Sequence, residues 1–192
     1  MKEIAVYAAM AVSAANFIWY MYTIYYGRTR PHLYTWLIWG LVCAIAAFAQ
    51  FAGGGGQGAW IWGAVAVFCL IRAAAAVRHG VRVITLSDKV CLGLACVAIV
   101  AWQLADDPLI AILIVTGIDL AGFYPTMRHL WYEPYDENLV SYVLFAVVYS
   151  LNAYAQMSYN VTTLTYPLVM IAATLGFIGY ALWRRSVFQR ST

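Results

Sequence analysis

Asp119 lies eleven positions after Pro108, inside an apolar stretch that runs 108–128. At about 1.5 Å per helical residue it sits about 17 Å into a hydrocarbon core of about 30 Å. A carboxylate at that depth is costly and faces a cavity or a partner. It is either a hydrogen-bonding group for a solute or a proton carrier, or else a structural acid held protonated or paired. Asn16 falls at similar depth in the first apolar stretch. Its amide either meets a solute or joins two helices. Arg72 stands six residues before Arg78, about 9 Å from a span end. Its guanidinium either snorkels to the interface or pairs with Asp119 and gates a cavity. Among the tryptophans only Trp39 is deep enough to stack on a solute ring, because Trp36, Trp60 and Trp62 lie near span ends where aromatic belts form. Tyr20 is the inward candidate of a tyrosine cluster, with Tyr22, Tyr25 and Tyr26 read as belt. Phe123 and Asn152 share helical faces with these groups, and Pro125 supplies a bend.

Other chemistries find little footing. His32, His79 and His129 lie in different loops without an i, i+4 pair, so no metal site is expected. None lies at mid-membrane, which argues against a bis-histidine haem, and no other cofactor is expected. The only lysines are Lys2 and Lys89, so the last span offers no Schiff-base lysine. No nucleophilic triad or spaced acid pair appears, and an enzyme acting on lipid-soluble substrates is the weakest reading. Cys43, Cys69, Cys91 and Cys96 lie inside apolar stretches, with no CxxC, and suit buried packing. The GGGGQG run at 53–58 lacks the GK[ST] tail of a phosphate loop and reads as a flexible hairpin. The NVT sequon at 160–162 lies too close to two spans to be used. Asp107 before Pro108 reads as a helix cap.

These residues need membrane helices to hold them. The chain has 192 residues, is 65% hydrophobic and only 10% charged, with a mean hydropathy of +0.76. Such a composition belongs to the bilayer. Seven apolar spans can be drawn, at 4–26, 33–52, 59–78, 86–104, 108–128, 139–157 and 165–183. The first lacks a basic leader and a small-x-small cleavage site, so it reads as a retained helix. With the N-terminus outside, nine basic residues (Arg28, Arg30, Arg78, Arg82, Lys89, Arg128, Arg184, Arg185 and Arg190) fall on the inner side and only Lys2 on the outer. That bias orients the chain, C-terminus in. The basic pI of about 8.7 reflects these flanks and not nucleic-acid binding.

The spans also repeat. Residues 35–51 (TWLIWGLVCAIAAFAQF) return 106 positions later at 141–157 (SYVLFAVVYSLNAYAQM). In the first copy Trp36, Trp39, Cys43, Ala46 and Gln50 form one helical stripe, matched by Tyr142, Phe145, Tyr149, Asn152 and Gln156. The intervening Leu37, Ile38, Leu41 and Ile45 suit lipid, as do Val143, Leu144, Val147 and Leu151. Ser13, Asn16, Tyr20 and Thr23 return as Thr116, Asp119, Phe123 and Thr126, and 60–78 aligns more weakly with 166–184. The predicted architecture is an all-α membrane protein of seven helices. A triple-helix unit (1–80) is joined by an inverting linker helix (81–106) to a second, parallel unit (107–192).

This 3+1+3 layout resembles the SWEET and PQ-loop superfamily. Pro125–Thr126 followed by Leu139 and Ser141 is similar to its Pro-Gln and Leu-Ser pattern, without the Gln. The first copy has Tyr22–Thr23 there, followed by Leu33 and Thr35. RPHLYTWLIWG at 30–40 also resembles a group of uncharacterised bacterial membrane proteins. The resemblance implies an inner-membrane transporter of a small polar or ring-bearing solute. Its site would use Asn16, Tyr20, Trp39, Asp119, Phe123 and Asn152, with Arg72, Asp119 and Pro125 in gating or coupling. The alternative is a receptor or assembly subunit of the same fold without transport. The partners expected are the lipid bilayer, the solute and a second copy of the chain.

Overall fold

The computed structural model describes residues 1–81, 85, 86, 89, 90, 92, 93, 96, 97, 100 and 107–191. The predicted span at 86–104 lies largely outside the described residues, as do Arg82 and Cys91. Elsewhere the chain forms six α-helices, with no strand among the described residues. These are α1 (Lys2–Tyr25), α2 (Leu33–Ala52), α3 (Ala59–His79), α4 (Pro108–Tyr132), α5 (Leu139–Ala155) and α6 (Val161–Ser191). All but α5 are long and apolar enough to cross a bilayer. The protein is an all-helical integral membrane protein.

Helix ends follow local chemistry. At the end of α1, Gly27 takes φ +67° and the Arg28 N–H reaches back to the Thr23 carbonyl at 2.9 Å, closing a Schellman turn. Asp107 caps α4 by accepting from the Leu109 N–H at 2.8 Å, with Pro108 in the first turn where its missing N–H is harmless. Asn138 caps α5 through the Val140 N–H.

Two predicted boundaries shift. The sixth span ends at Ala155 and not 157, because Gln156 leaves the helix at ψ 131° and turns its amide inward. The seventh begins at Val161 and not 165: the Thr163 N–H donates to Asn160 Oδ1 at 3.0 Å, and the Asn160 N–H donates to Thr163 Oγ1 at 3.1 Å. That reciprocal pair starts the helix early. The same helix runs on to Ser191, beyond the predicted 183, and α4 continues through Pro125 to Tyr132.

Each helix packs mainly on two others, giving a closed ring in the order α1, α5, α6, α4, α2, α3. The inward stripes are those with the polar and aromatic groups. Ser13, Asn16, Tyr20 and Thr23 of α1 are buried, as are Thr116, Asp119, Phe123 and Thr126 of α4. So are Trp36, Trp39, Cys43, Ala46 and Gln50 of α2. One expectation fails on α2, where Ile38 and Ile45 are buried instead of facing lipid. Of the five long helices α2 is the most enclosed, with 61% of its apolar window buried, whereas Val143 and Val147 of α5 stay exposed. Cys96 is exposed, against its predicted burial.

Candidate functional site: a central cavity between two closed layers

The inward stripes leave one narrow cavity at the middle of the ring. Trp39 and Cys43 of α2, Cys69 of α3, Asp119 and Phe123 of α4, Phe145 and Tyr149 of α5, and Thr174 of α6 contribute to its wall. Its volume is about 10 Å³, roughly the room one water molecule needs. The walls nearly meet.

Asp119 is buried in this wall and is met by a donor from another helix. Tyr166 Oη donates to Asp119 Oδ2 at 2.7 Å, and the same hydroxyl lies 3.8 Å from Cys43 Sγ. Trp62 and Tyr149 pack against the Tyr166 ring, with centroids 4.9 and 6.1 Å away. Trp39 crosses the cavity, its ring 5.2 Å from Phe123 and 6.3 Å from Tyr142. The indole fits because residue 122 is glycine: a Cβ there would stand 2.8 Å from Trp39 Nε1. Gly122→Ala is therefore expected to push Trp39 inward, costing about 1–2 kcal/mol of stability and quenching or shifting indole fluorescence. An unchanged spectrum and melting point would refute this close fit. Trp39 Nε1 and Thr174 Oγ1 are buried in the cavity wall without a hydrogen-bond partner.

Above the cavity, toward the 53–58 turn, three side-chain amides close the bundle. Gln156 Nε2 donates to Gln50 Oε1 at 3.2 Å and to Asn152 Oδ1 at 3.1 Å. Asn152 Nδ2 donates to the Gly58 carbonyl at 3.1 Å. All three amides are fully buried. At this end Lys2 Nζ also donates to the Gln156 carbonyl at 2.6 Å.

Below it, toward the basic ends of α3 and α6, Arg72 closes the bundle. Its guanidinium carbon stands 4.7 Å from the Trp36 ring centroid, 5.0 Å from Tyr20, 5.5 Å from Phe145 and 5.6 Å from Phe17. Rings attract a cation through their negative faces. The side chain is 1% exposed, so it does not snorkel. The predicted pair with Asp119 is also absent: Asp119 bonds to Tyr166, while aromatic rings surround Arg72. Tyr20 Oη in turn donates to Glu137 Oε2 at 3.4 Å. Glu137, in the turn between α4 and α5, is buried, and desolvation pushes its pKa up to about 8 against the opposing hydrogen bond from Tyr20.

The predicted site residues thus divide. Trp39, Asp119 and Phe123 line the cavity. Asn152 belongs to the amide layer, Tyr20 to the Arg72 layer, and Pro125 is buried within α4. Asn16 Nδ2 donates to the Ser141 carbonyl at 3.2 Å, joining α1 to α5, and its Oδ1 has no partner. Trp36 and Trp62, read as belt residues, are buried among interior rings, whereas Trp60 is exposed. Sequence reasoning missed Tyr166 and Thr174. Tyr166, Met170, Thr174 and Phe177 recur every three to four residues on α6 and are all buried, a stripe visible in the sequence. Glu137 carried no such signal, since an acid in a polar turn reads as solvated. No group of three metal-ligating side chains occurs among the described residues.

Comparison with protein-family models, with curated proteins and with solved structures finds no match.

Proposed function

We propose that the chain is a membrane transporter that carries a small polar or ring-bearing solute through the central cavity by alternating access. The moving bodies would be two parallel triple-helix repeats, α1–α3 and α4–α6, joined by a seventh helix across 86–104. The observation that carries this reading is an aromatic-walled cavity holding the Asp119 carboxyl, with layers above and below it contributed from both halves. Corresponding residues meet across the bundle centre: Gln156 Nε2 donates to its counterpart Gln50 at 3.2 Å. Trp36 lies 6.3 Å from Phe145, and the equivalent exchange, Tyr142 with Trp39, is also 6.3 Å. Exchanging α1 with α4, α2 with α5 and α3 with α6 maps the packing ring onto itself. Such symmetry places solute sites at the repeat interface in other carriers. The membrane is a bacterial inner membrane, with the amide layer outside and the basic ends inside, as the loop charges favour.

The test is a thermal-stabilisation screen of the purified protein against sugars, nucleosides, vitamins, amino acids and organic acids, followed by flux in proteoliposomes. The expected result is a solute that raises the melting temperature and crosses the vesicle wall, both effects falling at least tenfold in Asp119→Asn. Saturable stabilisation without flux would establish a receptor instead, and no response to any class would sink the small-solute reading.

A further inference from the structure

Arg72 is the one buried guanidinium among the described residues, and its donors are not used up. Nε and Nη2 are buried and have no hydrogen-bond acceptor. These two nitrogens lie on the same edge of the guanidinium plane, with parallel N–H bonds. That edge is the fork that takes both oxygens of a carboxylate at once. The surrounding rings of Phe17, Tyr20, Trp36 and Phe145 offset part of the desolvation of the cation. No side chain accepts from the two N–H groups, and the one hydroxyl among the rings, that of Tyr20, is directed to Glu137. No described carboxylate lies within ion-pairing distance, and Glu137 is held by the Tyr20 hydroxyl instead. A buried cation with a free bidentate edge lacks an anion.

The fork lies close to the cavity. Cys69, one helical turn before Arg72, forms part of the cavity wall, and so does Phe145, whose ring is also 5.5 Å from the guanidinium carbon. Phe145 is therefore a neighbour of both the cavity and the guanidinium. On the cavity side, Trp39 Nε1–H and the Thr174 hydroxyl are unpartnered beside the Asp119 carboxyl. A group that both accepts and donates, such as a hydroxyl, satisfies that set, whereas an ammonium cannot accept from an indole N–H.

We propose that the solute is a small monocarboxylate whose carboxylate is taken side-on by Nε and Nη2 of Arg72, its remaining polar group lying toward Asp119 and Trp39. This rests on the transporter reading above. The cavity as closed is too small for such a molecule, so binding accompanies displacement of Phe145 and opening of the ring. A tetrahedral dianion is disfavoured, because a single guanidinium in a ring of aromatics neutralises only one charge.

The test compares lactate, 3-hydroxybutyrate and benzoate with lactamide, 3-hydroxybutyramide and benzamide, which keep shape and lose the charge. In the wild-type protein a carboxylate is expected to raise the melting temperature and bind at least tenfold more tightly than its amide. Arg72→Lys keeps the charge, lacks the fork, and should lose tenfold or more of that affinity. Arg72→Met should abolish carboxylate binding while melting at or above the wild-type temperature, because it removes an unpaired buried charge. A lower melting point in Arg72→Met together with unchanged carboxylate binding in Arg72→Lys would overturn the proposal by making Arg72 a structural cation. Flux of an uncharged solute without any response to carboxylates would overturn the proposal and leave the transporter reading standing. Carboxylate binding that depends on Arg72 without flux would uphold the site and overturn transport.

Discussion

Asn152→Leu is expected to destabilise the protein by about 2 kcal/mol, read as a lower melting temperature in detergent. Asn152 donates to the Gly58 carbonyl at 3.1 Å and accepts from Gln156 Nε2 at 3.1 Å and Gln50 Nε2 at 3.4 Å. Leucine matches its bulk but meets none of these groups. The substitution strands the buried Gln50 Nε2 donor and strips the Gly58 carbonyl of its side-chain donor, while Gln156 Nε2 keeps Gln50 Oε1 and the residue 152 carbonyl, both at 3.2 Å. Unmet buried groups cost more than the bonds themselves contribute. Further removal of the partners should recover much of the loss. The triple variant Gln50→Leu, Asn152→Leu, Gln156→Leu is expected to melt above Asn152→Leu alone, because fewer polar groups are left unpaired. A triple variant less stable than the single would show that the amides act independently. On the transporter reading proposed above, this layer would close one end of the cavity, and the single variant should then leak solute down a gradient.

Glu137→Gln is expected to flatten the pH dependence of stability. The Glu137 carboxyl has a folded pKa of about 8, against 4.5 for an ordinary glutamate. Below pH 4.5 it is protonated in both folded and unfolded chains, and its contribution is fully present. Between pH 4.5 and 8 the folded chain keeps a proton that the unfolded chain has lost, so stability falls as pH rises, by at most about 1.4 kcal/mol per pH unit. Above 8 the loss is complete. Melting temperatures at pH 5, 7 and 9 should therefore decline more steeply in the wild type than in Glu137→Gln. His129→Gln, which removes the nearby His129–Asp136 contact of 3.0 Å, separates that contribution. An equal decline in Glu137→Gln would refute the assignment. Because the Tyr20 hydroxyl joins Glu137 to the Arg72 layer, ionisation of Glu137 also adds a negative charge beside that layer. On the transporter reading proposed above, flux would then depend on pH more strongly in the wild type than in the glutamine variant.

Burial followed directly from residue type and helical spacing along most of the chain. The stripes of α1, α2, α4 and α5 were legible because a bilayer leaves polar and aromatic groups few places to go, and a period of 3.6 residues collects them on one side. The membrane class and five of the spans were legible for the same reason. The rule failed on α2, the most enclosed of the long helices. Ile38 and Ile45 carry no mark that distinguishes a lipid-facing isoleucine from one pressed against another helix. Trp36 and Trp62 were misplaced because distance from a span end describes depth and says nothing of direction around the helix.

Depth was thus written in the sequence, and partnership was decided by the tertiary structure. Asp119 and Arg72 were recognisable as charges deep within the spans, and opposite charges at comparable depths suggested a pair. The fold instead gives Asp119 the hydroxyl of Tyr166 and surrounds Arg72 with four rings. Glu137 drew no attention in a polar turn until Tyr20 and the ends of α4 and α5 closed over it. Spacing along a helix specifies which face a side chain occupies. Only the packing of six helices into a ring determines which other face it meets, because that depends on contacts between residues about 50 to 150 positions apart.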